Sequence, residues 1–205
     1  MSIEPDTKDW TWVVDRPCPD CGFDPDSVDR GKLPDLIHEN VREWYAILLD
    51  ADFAVRPAPH VWSRLEYACH VRDVHRIFAE RVRLMLDEED PEFDNWDQDA
   101  TADEEEYGLQ DPAEVGTELV ERAAEAAAVY ASVTEDGWQR TGRRKAGPKT
   151  DPDADSDADS DADSDADEGS GSEFTVESIG RYHLHDVVHH LWDVTITPAP
   201  AVQEG

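Results

Sequence analysis

Basic residues are scarce in this chain of 205 residues: 18 lysines and arginines stand against 50 aspartates and glutamates, for a formal net charge of -32. Only Lys8, Lys32, Lys145 and Lys149 are lysines. A surface so poor in cations repels phosphate backbones and anionic headgroups, which argues against nucleic acid and membrane surfaces as partners and leaves cations as the natural ones. Long apolar runs are lacking too, since none approaches the roughly 20 residues that a membrane helix needs. The opening MSIEPDTKDW has neither the basic nor the apolar region of a secretory signal, so the expected location is the cytoplasm. Cysteine is limited to Cys18, Cys21 and Cys69. An odd number in a reducing compartment argues against a disulfide framework and leaves metal or redox chemistry for Cys18 and Cys21.

What is present suffices for one domain. The chain is 39% apolar and carries seven tryptophans, enough for a core under an acidic skin. Residues 1–32 read as an extended arm, with Trp10 and Trp12 in alternation and a turn-rich CxxC knuckle. Residues 33–195 read as an all-helical body. Leu33, Ile37, Val41, Trp44 and Leu48 recur at the spacing of one helix face. Ser63 and Glu66 form a capping box for a second helix, whose core stripe is Leu65, Ala68, Val71, His75, Phe78, Val82 and Met85. A third helix starts at Asp111 and Pro112, and a fourth spans about Thr175 to Thr195. Residues 90–110 have no sustained period and read as a long loop that covers something. GWQRTGRR reads as a turn or short hairpin. The acidic segment 146–173 repeats DADS and can form no core, so it reads as a disordered insertion, as does the tail 196–205. Its repeat lacks the glycine turns of calcium-binding repeats.

Four histidines fall within RYHLHDVVHHLWDV. On a helix His185 and His189 project side by side, with beta carbons roughly 5–6 Å apart, the bite that a tetrahedral metal ion asks of two imidazoles. His183 and His190 point away from that face. A catalytic metal centre takes three protein ligands and an open position. The third candidate is His70, which lies off the core stripe of the second helix and can face a cleft against the last one. His75, inside the stripe, reads as a hydrogen-bonded core histidine. Glu66, Asp73 and Asp193 are candidates to hold the imidazoles from behind, and Arg181 to meet a substrate carboxylate. Cys18 and Cys21 are half of a zinc knuckle. With no second CxxC to supply two more ligands, a tight turn with two reduced thiols is the preferred reading.

The capped helix VWSRLEYACHV followed late in the chain by HDVVHHLWDV resembles the DinB and YfiT-like superfamily. The resemblance covers roughly Leu33 to Val194 without the acidic insertion. It implies a four-helix bundle in an up-down-down-up arrangement, with a divalent metal held by three histidines that map onto His70, His185 and His189. Relatives of this kind include thiol-dependent maleylpyruvate isomerases and S-transferases that act with mycothiol or bacillithiol. Many follow the last histidine with arginine, glycine and glutamine, where this chain has HLWD, so contacts near that turn do not carry over.

The function expected is therefore that of a metal-dependent S-transferase or isomerase, using zinc or nickel and a low-molecular-weight thiol such as mycothiol on an electrophilic small molecule. A metal-coordinated thiol or water is deprotonated near neutral pH, which gives the nucleophile such reactions need. A hydrolase on the same metal and a non-enzymatic metal-binding or dimerising bundle are the alternatives. A two-fold homodimer is the assembly expected.

Overall fold

The structure, a computed structural model, describes residues 3, 8–145 and 171–196. The DADS repeat and nearly all of the C-terminal tail lie outside the described residues. Among the described residues five α-helices form: α1 Leu33–Leu48, α2 Arg64–Asp87, α3 Gln98–Glu104, α4 Pro112–Ala131 and α5 Val176–Ile196. The long ones, α1, α2, α4 and α5, make a four-helix bundle. In it α1 and α2 each pack on both α4 and α5 and barely meet each other. The fifteen residues between α1 and α2 allow that diagonal placement. Leu33, Ile37 and Trp44 of α1, Leu65, Val71, Phe78, Val82 and Met85 of α2, and Val115, Leu119 and Tyr130 of α4 are all buried in one core, on the stripes that the sequence period marks.

Three of the long helices, α2, α4 and α5, start at a side-chain cap. Ser63 Oγ accepts from the amide of Glu66 at 3.3 Å, and Glu66 Oε2 accepts from the amide of Ser63 at 2.7 Å, so two orphan donors of the first turn are satisfied reciprocally. Asp111 accepts from the amides of Ala113 and Glu114, with Pro112 next in line. At α5, Thr175 Oγ1 accepts from the amide of Ser178, and Ser178 Oγ from that of Thr175.

Two features go beyond the sequence reading, which placed only a turn or short hairpin at GWQRTGRR among the helices. A small sheet forms, with β1 Glu92–Phe93 parallel to β2 Thr141–Arg144, and β2 antiparallel to β3 Ser172–Thr175. Ser172 and Glu173, assigned from sequence to the insertion, therefore belong to a strand that closes a hairpin around it. The loop 90–110 contains β1, α3 and a 3-10 turn at Tyr107–Leu109, pieces too short to show a period.

The arm, read from sequence as extended, is built of short 3-10 turns and lies on the body. Its 3-10 turn Thr11–Val14 packs on α5, and Val13, Cys18 and Phe23 are buried.

Candidate metal centre

Helix α5 carries two pairs of potential metal ligands, each at the i, i+4 spacing and offset by one residue: His185 with His189, and Asp186 with His190. One residue of offset turns the side chain by about 100°, so one helix aims the pairs at two different neighbours. His185 and His189 face the arm. Asp186 and His190 face α2.

The structure accordingly divides the three histidines singled out in the sequence. Among the described residues, His70, Asp186 and His190 bring one donor atom each within 4.8 Å of one another, and Cys18, Cys21, His185 and His189 do the same in a second cluster. His70 joins Asp186 and His190 because α2 packs on the face one residue round α5 from the HxxxH pair. Asp186 and His190 were missed by sequence reasoning. Their DxxxH spacing was the available signal, hidden by the adjacent HxxxH.

In the first cluster His70 is fully buried, and neither of its ring nitrogens has a hydrogen-bond partner. Its Nε2 lies 3.6 Å from Asp186 Oδ1, which in turn lies 3.3 Å from His190 Nε2. Trp96, delivered by the long loop, stacks on the His70 ring at 5.1 Å and 5°. Trp62 covers the ring at 5.2 Å and Tyr67 lies 5.3 Å from His190. Trp96 is itself fixed by donating to Thr101 Oγ1 at 2.7 Å. The loop thus covers the buried His70 ring. An imidazole buried with two orphaned nitrogens costs free energy, and a ligand role removes the part of that cost borne by the coordinating nitrogen.

The electrostatics sort the three groups. Burial pulls the His70 imidazole below its ordinary range, with His190 adding to the effect. Burial works against charge at His190 too, but the carboxylates of Asp186 and Asp193 on either side push it up to about 9. Burial opposes ionisation of Asp186 as well, yet His190 and His70 hold it well below the usual carboxylate range. His190 Nδ1 lies 3.0 Å from Asp193 Oδ2, which leaves Nε2 aimed at Asp186 and His70.

The other candidates are placed as follows. Asp193 backs His190. Glu66 is occupied by Ser63 and Arg56 at the start of α2; burial pushes it up, and those partners bring it below its ordinary value. Asp73 accepts from Tyr107 Oη at 2.6 Å and from Arg72 Nη2 at 2.9 Å, and so ties the loop to α2. Arg181, on the face of His185 and His189, pairs with Glu177 one turn back. His75 is a buried core histidine whose Nδ1 lies 2.9 Å from His183 Nε2, and Tyr130 Oη lies 3.1 Å from His183 Nδ1. Cys69 is buried beside Gln110 and the carbonyl of Tyr107, and burial pushes its thiol up to about 12.

In the second cluster Cys18 Sγ lies 3.6 Å from His189 Nδ1. Cys18, His185 and His189 are buried and Cys21 partly so. Burial, with Cys18 as neighbour, pushes the Cys21 thiol up to about 11 against the pull of the Phe23 backbone.

Comparison with known proteins bears on this arrangement. No curated protein matches the chain. A solved structure of YfiT from Bacillus subtilis, described as a probable metal-dependent hydrolase with an unusual four-helix bundle topology, superposes with a TM-score of 0.61 at 17% identity, over 82% of this chain and 89% of that one. At that identity the likeness is one of fold. The family model of the DinB superfamily matches residues 35–194, nearly all of the bundle and both candidate pairs of α5, and the chain belongs to that superfamily.

Proposed function

We propose that the chain is a divalent-metal-dependent enzyme whose reaction centre is His70, Asp186 and His190, and that its first activity is hydrolysis. The observation that carries this reading is the fully buried His70 with both nitrogens unpartnered, facing Asp186 and His190. Two imidazoles and one carboxylate are the protein ligands of well-known zinc hydrolases, which keep a further position open. A divalent ion held there would supply a nucleophile at neutral pH by lowering the pKa of the water or thiol that completes its coordination.

The residues of the chain do the rest. Asp193 orients the His190 ring through Nδ1, which keeps Nε2 free for ligation. Asp186 brings one negative charge against the ion. Trp62 and Trp96 exclude water from the His70 side and offer an aromatic wall to an apolar part of a substrate. The likeness to YfiT supports the hydrolytic reading.

The thiol-dependent reading, S-transfer or isomerisation with a low-molecular-weight thiol, rests on the family resemblance and uses the same ligands. One assay separates them. The protein is freed of metal with a chelator, reloaded with zinc, and screened against ester and amide substrates with and without an added thiol. Turnover that returns with zinc and needs no thiol is the expected result, with loss in His190→Ala. Turnover only with thiol moves the reaction to S-transfer. Turnover that survives metal removal, or none in either arm from a protein that holds its zinc, overturns the proposal.

A further inference from the structure

The arm and α5 form a second cluster that the reaction centre does not use. Cys18 and Cys21 come from the knuckle RPCPDCGF, where the Cys18 amide donates to the Phe23 carbonyl at 2.8 Å and the Gly22 amide to the Cys18 carbonyl at 3.0 Å. Gly22 sits at φ +74, a left-handed conformation that glycine adopts freely, and this reverses the chain so that both thiols face the same side. His185 and His189, one turn apart, meet them from the body. The four donor atoms lie within 4.8 Å of one another.

We infer that Cys18, Cys21, His185 and His189 bind a structural zinc ion that clamps the arm to α5. The donor set, two cysteines and two histidines, is that of closed structural zinc sites, and it fills a tetrahedral shell with protein ligands alone. With Zn–S near 2.3 Å and Zn–N near 2.0–2.1 Å, a tetrahedron spaces sulfur and nitrogen about 3.6 Å apart. Cys18 Sγ and His189 Nδ1 are 3.6 Å apart.

A second observation points to a ligand independently. His185 is 3% exposed and its Nε2 has no hydrogen-bond partner, an orphaned polar atom of the kind that buried sites satisfy. Trp10 covers both rings, at 5.5 Å from His185 and 4.9 Å from His189, and Phe23 packs edge-on to His185 at 5.4 Å. This apolar lid holds the imidazoles in place and keeps water out. The two thiols give up their protons to solvent as the ion binds.

The site also has a mechanical consequence. Asp186 and His190 follow His185 and His189 directly in the chain, so an ion gripping one pair fixes the rotation of the helix that presents the other. The inference does not depend on the proposed activity, because the clamp would be present in a non-catalytic bundle.

The test is cobalt substitution of the full chain, kept reduced, followed by elemental analysis. Cobalt bound by Cys18 and Cys21 gives a thiolate-to-metal charge-transfer band in the near ultraviolet that saturates at one ion per chain. The His70 centre, having no thiolate, gives none. In the Cys18→Ser, Cys21→Ser double variant the band disappears and metal content falls by one ion per chain. In His70→Ala the band stays. A wild type that holds only the ion giving the band, with no further ion lost in His70→Ala, sinks the reaction centre but not the clamp. Trypsin cleavage after Arg30, whose guanidinium pairs with Glu177 of α5, speeds up several-fold in wild type once zinc is chelated, a readout that needs no variant to fold. Absence of a charge-transfer band from reduced wild type, or its persistence in the double variant, overturns the inference.

Discussion

Acid should weaken this fold through its buried histidine pair. His183 is wholly buried on α5, with Phe78 stacked at 4.8 Å, His75 at one ring nitrogen and Tyr130 at the other. These bonds join neutral partners. Burial lowers the His183 imidazole from 6.5 to about 4 and takes His75 well below its ordinary range in the same direction. The unfolded chain therefore binds a proton at His183 that the folded chain refuses between those two values. The stability linked to it is complete above about pH 6.5 and is lost as pH falls toward 4. At about 1.36 kcal/mol per pH unit, the loss from this one group between pH 7 and pH 4.5 comes to about 2.5 kcal/mol, and His75 adds to it. That is a large share of the 5–15 kcal/mol typical of a domain. The assay is urea denaturation at pH 7 and pH 4.5, with chelator present throughout, for wild type and His183→Gln. Glutamine keeps a hydrogen-bonding amide without the titration, so the wild type loses about 2 kcal/mol more over the interval than the variant. Equal losses in the two proteins, or a His183 imidazole that protonates near pH 6 by NMR, would refute the reasoning.

Three further perturbations follow from single contacts. Asp193→Asn permits the amide to donate to His190 Nδ1 and so favours the tautomer with a proton on Nε2; zinc affinity at the His70 centre drops by about 10- to 100-fold, read by competition with a chromogenic chelator in the Cys18→Ser, Cys21→Ser background. Tyr107→Phe removes the 2.6 Å hydrogen bond to the buried Asp73 carboxylate and costs about 1–3 kcal/mol of unfolding free energy, measured by chemical denaturation. Gly142→Ala puts a β-carbon 2.7 Å from Met85 Cγ and 3.2 Å from Phe93, both buried, so the same measurement shows a loss of about 1–3 kcal/mol from overpacking.

The bundle was legible because its helices are long. Stripes such as Leu65 to Met85, and the caps at Ser63 and Asp111, are local signals that tertiary contacts reinforce. Apart from the hairpin signal at GWQRTGRR, the strands and α3 were not legible, because two to seven residues carry no period and the strands are held by partners distant in sequence, as Gly142 is by Phe174. The site was legible in its residue types and only partly in its grouping. Sequence reading placed candidate ligands on α5 and on α2 at His70, and the structure sets His70 against α5, but side chains one residue apart on a helix differ by about 100° in direction, and which pair meets His70 depends on how α5 is rotated in the bundle. The same rotation supplies the partners of the knuckle, which sequence left half-complete: the arm lies against the His185 and His189 face, 164 residues beyond Cys21 in the chain at the nearer ligand.

The most direct test of the reaction centre is where a metal ion sits. Crystals grown with zinc and measured on either side of the zinc absorption edge would locate it by anomalous scattering. The account predicts a peak at bonding distance, about 2.0–2.2 Å, from one atom each of His70, Asp186 and His190. A single ion shared by His70, His185 and His189, or a His70 cluster with no anomalous peak in a zinc-loaded crystal, would contradict it.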